Sequence, residues 1–278
     1  NVGNRKTEKI EQDSVKKFTV TEVWRTDSVL LTPESVIYDK KRDIIYVSCM
    51  NLEPRLKDKN GFISKIDKNG KITELRWIEG MNSPKGLAII GDTLYAADID
   101  EVVVMDIEKG VITRTIPVKG ARMLNDITAD NEGNLYISDT DDSKIHIYSG
   151  GSLSKWLGDE ILGPNGLLFH NDTMFVASQG ENNFSAIDIK TKSLKILTDS
   201  IAHADGIAYS GIPGYFIVSD WNGEVFFINP DFSKTSVLDT KEVQINSADI
   251  DFIQDEKLLI IPTFFKNMVI GYRLEVAE

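Results

Sequence analysis

The chain has 278 residues, of which 41% are hydrophobic and 27% charged, and its formal net charge is −12. That is enough apolar material for a well-buried core, and length alone permits one large domain or two small ones. The acidic balance argues against non-specific binding to nucleic acid or to an anionic membrane surface, both of which call for basic patches. No apolar run approaches the roughly 18 residues needed to span a bilayer.

The chain opens with a polar segment, NVGNRKTEKIEQDSVKK (1–17), too hydrophilic to be a signal peptide. It is expected to be an extension ahead of a single domain covering 18–278. Loss of an earlier leader would make the protein periplasmic or secreted; a cytoplasmic location is left open. A lone cysteine, Cys49, rules out an internal disulfide and any zinc site built from several cysteines. No base stands next to it in sequence, so it reads as inert.

The next segment, FTVTEVW (18–24), reads as a strand. A repeat of about forty residues follows, the length expected of a propeller blade. Its first copy begins PESVIYDKKRDIIYVS (33–48) and its second PKGLAIIGDTLYAAD (84–98). The third is LNDITADNEGNLYISD (124–139), the fourth PNGLLFHNDTMFVAS (164–178), the fifth ADGIAYSGIPGYFIVSD (204–220) and the sixth SADIDFIQDEKLLIIPT (247–263). Each is an apolar run, a turn rich in Gly, Asp and Asn, and a second apolar run, which is the signature of a β-hairpin. A third run follows in every copy (GFISKID, EVVVMD, KIHIYS, FSAID, GEVFFIN and NMVIGYRL) and a more polar fourth in all but the last. Four strands per unit predict an all-β, six-bladed β-propeller. The strand missing from the last blade is supplied by 18–24, which closes the ring and leaves no edge open.

Aligning the copies on their first runs gives six equivalent positions: Glu34, Lys85, Asn125, Asn165, Asp205 and Ala248. The three middle intervals are 40 residues each, the first 51 and the last 43. In a propeller the innermost strand of each blade lines the central channel, so these side chains are expected to converge at its mouth. Two carboxylates facing each other there would raise one pKa unless a cation neutralised them. Carboxylate and amide oxygens, without sulfur or imidazole, are hard ligands that suit calcium or magnesium better than zinc or copper.

The PES, ND, PNG and ADG tracts in successive blades resemble the senescence-marker-protein, gluconolactonase and luciferin-regenerating-enzyme-like family of six-bladed propellers, over nearly the whole chain. The resemblance implies one divalent cation, calcium first, with magnesium, manganese or zinc as alternatives. Its ligands would be Glu34, Asn165 and Asp205, and Asn125 would position substrate or complete the shell. It implies hydrolysis of a small-molecule lactone or related ester more firmly than it implies a particular substrate. Three departures stand out. Blade one has Glu34-Ser35 where the family has Glu-Gly. Arg122, the candidate for the substrate-contacting arginine of the family's R-x-N-D motif, lies three residues before Asn125 instead of two. Lys85 places an ammonium in the ring, able to pair with Glu34 or Asp205, to stabilise an oxyanion, or to remain solvated.

Asp205 is the expected general base, with Asn125 beside it as an orienting group. The long connection Cys49–Asn60, carrying Pro54 and Arg55, is expected to act as a lid. Trp221, Phe264 and Phe265 occupy the corresponding loops of blades five and six and are expected to form an apolar substrate wall, or else to pack between blades. His203, two residues before Asp205, reads as a loop residue. The competing function is a non-catalytic ligand-binding or protein-interaction scaffold, because this architecture hosts both enzymes and scaffolds.

Overall fold

The computed structural model describes residues 17–277, so the polar segment 1–17 lies, apart from Lys17, outside the described residues. Within them, twenty-four strands form six four-stranded antiparallel sheets, and the only helices are three short 3-10 turns. No helix among the described residues is long and apolar enough to cross a membrane. The innermost strands of blades one to five are Pro33–Asp39, Pro84–Ile90, Leu124–Ala129, Pro164–His170 and Ala204–Tyr209. Blade six is irregular at this position. Only Asp251–Ile253 forms a strand there, and the preceding residues lean on blade one, with the Asp249 amide donating to the Glu34 carbonyl at 2.9 Å.

Lys17–Arg25 pairs antiparallel with Val269–Ala277 as the outermost strand of blade six. This is the closure expected from FTVTEVW. The strand also fills core: the Phe18 ring stacks on Phe227 with centroids 4.0 Å apart and meets Tyr215 edge-on at 5.3 Å. The core itself lies between blades. Tyr46, Ile63 and Met81 of blade one pack against Leu87, Leu94 and Val103 of blade two, and similar clusters recur around the ring. Alternation along each strand supplies one face to each neighbour, which is why the repeats read as paired apolar runs.

One local device sets the site. In blades one to five the register of the innermost strand slips by one residue near its start, between Pro33 and Ser35, Pro84 and Leu87, Leu124 and Ile127, Pro164 and Leu167, and Ala204 and Ile207. The extra residue makes a β-bulge, which re-aims a side chain out of the pleat. Glu34, Lys85, Asn125, Asn165 and Asp205 lie in these five bulges. The amide just after the ring residue would lose its ladder partner. In blades one, three and five a serine hydroxyl from the second strand replaces it: Ser48 accepts from Ser35 N at 3.0 Å, Ser138 from Asp126 N at 2.8 Å and Ser219 from Gly206 N at 2.8 Å. Neighbouring innermost strands approach closely enough that a Cβ on Gly166 would lie 1.9 Å from the Asp205 carbonyl oxygen. That contact explains the glycine of the PNG tract.

Candidate active site at the channel mouth

The innermost strands start at the mouth, so the loops joining second to third strands and those joining blades crown the same face. Glu34, Lys85, Asn125, Asn165 and Asp205 are all buried and all line one cavity of about 270 Å³. Ala248, the sixth equivalent residue, is fully buried but packs with Met50 and Phe264 and does not face that cavity. From the loops, Met50, Pro54 and Arg55 of blade one, Gln179 of blade four, Trp221 of blade five and Phe264 of blade six also line it.

The two carboxylates are under electrostatic load. Burial raises the Glu34 pKa well above its ordinary value, and the charges of Asp205 and Asp249 raise it further; Lys85 only partly offsets them. Asp205 is raised in the same way, by burial first and then by Asp249 and Asp220, with the adjacent Asn165 amide pulling it back. One oxygen of each, Glu34 Oε2 and Asp205 Oδ1, is buried with no hydrogen-bond partner among the described residues. Unpartnered buried carboxylate oxygens are costly unless a proton or a cation compensates them.

Lys85 does not form an ion pair with either carboxylate. Its ammonium donates to the carbonyls of Pro54 and Ser83, both at 3.0 Å, and to Ser83 Oγ at 3.4 Å. Burial draws its pKa down to about 8, against the opposing pull of Glu34 and Asp98. The side chain ties the blade-one loop down onto the ring and leaves the Glu34 and Asp205 oxygens facing the cavity. Asn125 Nδ2 donates to Thr140 Oγ1 at 3.1 Å, which leaves its carbonyl oxygen as the available acceptor. Thr140 in turn donates to the Pro164 carbonyl at 2.7 Å, so the Asn125 rotamer is locked across the junction between blades three and four.

Two expected site residues lie elsewhere. Arg122 is exposed and does not line the cavity. Its amide and that of Met123 are held by the Asp139 carboxylate at 3.0 and 2.9 Å, which turns the arginine outward and aims Met123 inward. Met123 stands two residues before Asn125, the position where the family resemblance would place arginine. Phe265 is 63% exposed and Phe264 8%; Phe264 takes a left-handed conformation (φ 51°), and the turn separates the two rings. Phe264 and Trp221 therefore wall the cavity, while Phe265 faces outward. His203, read from sequence as a loop residue, sits at the cavity rim with φ 48°. Met50, Met123 and Gln179 had no sequence signal beyond their place in mouth-side connections.

The blade-one connection spans its neighbours. Arg55 pairs with Asp141 of blade three at 2.5 Å, Lys57 with Asp100 of blade two at 2.5 Å, and Lys59 with Glu101 at 2.9 Å. Cys49 at its root is fully buried, with its thiol pushed up to about 12 by desolvation. Among the described residues no three His, Cys, Asp or Glu side chains cluster to hold a metal. The ring's donors are two carboxylates and two amides, and with two orphaned buried oxygens they fit a hard cation.

No family model matches the sequence, and no curated protein does. Solved structures match the fold. A catalytically inactive virginiamycin B lyase from Staphylococcus aureus with quinupristin is 13% identical, with a TM-score of 0.65 over 92% of this chain and 99% of that one. A candidate gluconolactonase is 15% identical, with a TM-score of 0.68 over 93% of each chain. An auxiliary nutrient binding protein from Bacteroides thetaiotaomicron is 12% identical, with a TM-score of 0.72 over 94% of this chain and 77% of that one. At these identities the likeness concerns fold: the chain is a six-bladed β-propeller, as the resemblance implied.

Proposed function

We propose that the chain is a divalent-metal-dependent hydrolase acting on a lactone or related ester at the channel mouth. The observation that carries this reading is the pair of buried, unpartnered carboxylate oxygens, Glu34 Oε2 and Asp205 Oδ1, on one cavity with no ammonium paired to either. Glu34, Asn125, Asn165 and Asp205 would hold the cation, calcium by donor type. When bound, it supplies Lewis-acid polarisation of the ester carbonyl and acidifies a coordinated water.

The chain's own groups do the rest. Asp205, a ligand carboxylate beside the attacking oxygen, accepts the proton of water as that water attacks the carbonyl carbon, and returns it to the leaving alkoxide when the C–O bond breaks. Glu34 contributes charge, and the neighbouring Asn165 amide favours the ionised form of Asp205. Asn125 presents a fixed carbonyl oxygen to orient substrate or water. Trp221, Phe264 and the two methionines exclude bulk water from the reacting atoms.

A panel of aldonolactones, aryl esters and phosphotriesters, assayed with calcium and with a chelator, tests the proposal. Calcium-dependent turnover lost in Asp205→Ala and Glu34→Gln is expected; turnover surviving either substitution contradicts the mechanism. A ligand-binding scaffold is the second reading, favoured by the ammonium of Lys85 inside the ring. It gains ground if no substrate turns over and no divalent cation binds.

A further inference from the structure

Trp221 has two faces in use. One closes the catalytic cavity beside Phe264; the other lines a second, wider depression of about 500 Å³ on the same mouth-side surface. That groove runs between the blade-five loop, the connection into blade six and the turn at Phe264–Lys266. Its apolar surface comes from Trp221 and the exposed Phe265 ring, whose centroids lie 5.8 Å apart at 80°. Its polar surface comes from Lys266, Lys241 and the amides of Gln244 and Asn246.

The charges there are unequal. Lys241 is committed to Glu224 and Asp239. Lys266, among the described residues, pairs with no carboxylate, although the chain as a whole is strongly acidic. The Trp221 backbone is held by the His203 carbonyl and by Asn246, with Trp221 N to His203 O at 3.1 Å and Asn246 Nδ2 to Trp221 O at 2.9 Å. The main chain is thus anchored where the indole, packed edge-on with Phe264 at 5.3 Å, stands between the two depressions. An exposed aromatic ring set perpendicular to another offers a planar group both a face and an edge to stack on. The uncommitted ammonium beside them favours negative charge.

We infer that this groove is a second binding compartment, adjoining the first at Trp221, for a planar aromatic group carrying an anionic substituent. It rests on the hydrolase reading only in that this group would be the part of the substrate remote from the scissile carbonyl. Phe265, which does not line the reaction cavity, acquires a role as a specificity residue. Lys266 joins it, reading the anion.

Calorimetry with 2-naphthoate, 2-naphthylmethanol and cyclohexanecarboxylate on the full chain tests the compartment independently of catalysis. 2-Naphthoate is expected to bind most tightly. Phe265→Ala should weaken it by about tenfold, the scale of a lost aromatic contact. Lys266→Ala should cost 2-naphthoate about threefold to fivefold, as for a partly exposed ion pair, and leave 2-naphthylmethanol unaffected. Chelator and Glu34→Gln should change none of these values. Unaltered binding in both groove variants, no binding at all, or binding lost with the ring cation overturns the inference. If naphthoate binds as expected but no ester turns over, the groove stands and the hydrolase reading fails. If esters turn over and Phe265→Ala does not alter preference between aryl and alkyl substrates, the groove fails alone.

Discussion

At the scale of single residues, the site is a problem of uncompensated charge. Glu34 and Asp205 are both raised, and Asp126, which follows Asn125 on the next layer down the channel, is pushed up to about 7 by burial despite amide hydrogen bonds from Leu167 and Ile127. Such carboxyls hold protons in the folded protein at pH values where the unfolded chain has released them. Metal-free protein should therefore lose stability as pH rises from the ordinary carboxyl range toward about 7, because the native state then binds more protons than the unfolded one. Lys85, drawn down to about 8, acts oppositely. Between there and its ordinary range the unfolded chain binds the extra proton, so stability should climb again with pH. Thermal melts across pH with a chelator should trace this dip; saturating calcium should shrink its acid limb, and Lys85→Met should remove its alkaline limb. The same substitution should cost roughly 1–3 kcal/mol through the lost charged hydrogen bonds to Pro54 and Ser83, while tightening calcium by removing a like charge.

At the scale of elements, five bulges aim the ring, and their amides need partners. Ser219 accepts from Gly206 N and donates to the Ala248 carbonyl at 2.8 Å, linking blades five and six beneath Asp205. Ser219→Ala leaves both groups buried and unsatisfied. It should cost about 1–3 kcal/mol in denaturant melts and loosen calcium binding, whereas Ser219→Thr should preserve the bonds. The blade-one loop is held from beneath by Lys85 and at its root by bonds to Leu31 and Thr32, whereas its outer ion pairs are largely exposed. Arg55→Ala should change global stability by less than about 1 kcal/mol yet speed amide exchange over 50–60. Much of this site was legible in the sequence, because a bulge at the same point of every repeat imposes the same short tract, and Gly166 marks where adjacent strands nearly touch. What was not legible depended on backbone phase set from elsewhere. Asp139 grips the amides of Arg122 and Met123 and so exchanges which side chain points inward. The left-handed turn at Phe264 divides it from Phe265. The direction of Lys85 was decided by two carbonyls, one of them in the distant blade-one loop.

At the scale of the molecule, closure is carried by Lys17–Arg25, which pairs along the whole last strand and buries Phe18 among blades five and six. Deleting 17–25 should expose that strand as an edge, remove the Phe18 stack and give a broad, low-temperature transition in place of a cooperative one. The ring residues come from separate blades, so a closed ring is what makes one site of them, and calcium affinity should fall together with closure. By the reading proposed above, the mouth of this ring is built for one hard divalent cation. Calorimetric titration of chelator-treated protein with calcium at neutral pH decides the matter. A single binding event that is absent in Glu34→Gln is expected; a flat titration of the folded protein, or a binding event that Glu34→Gln leaves intact, would refute it.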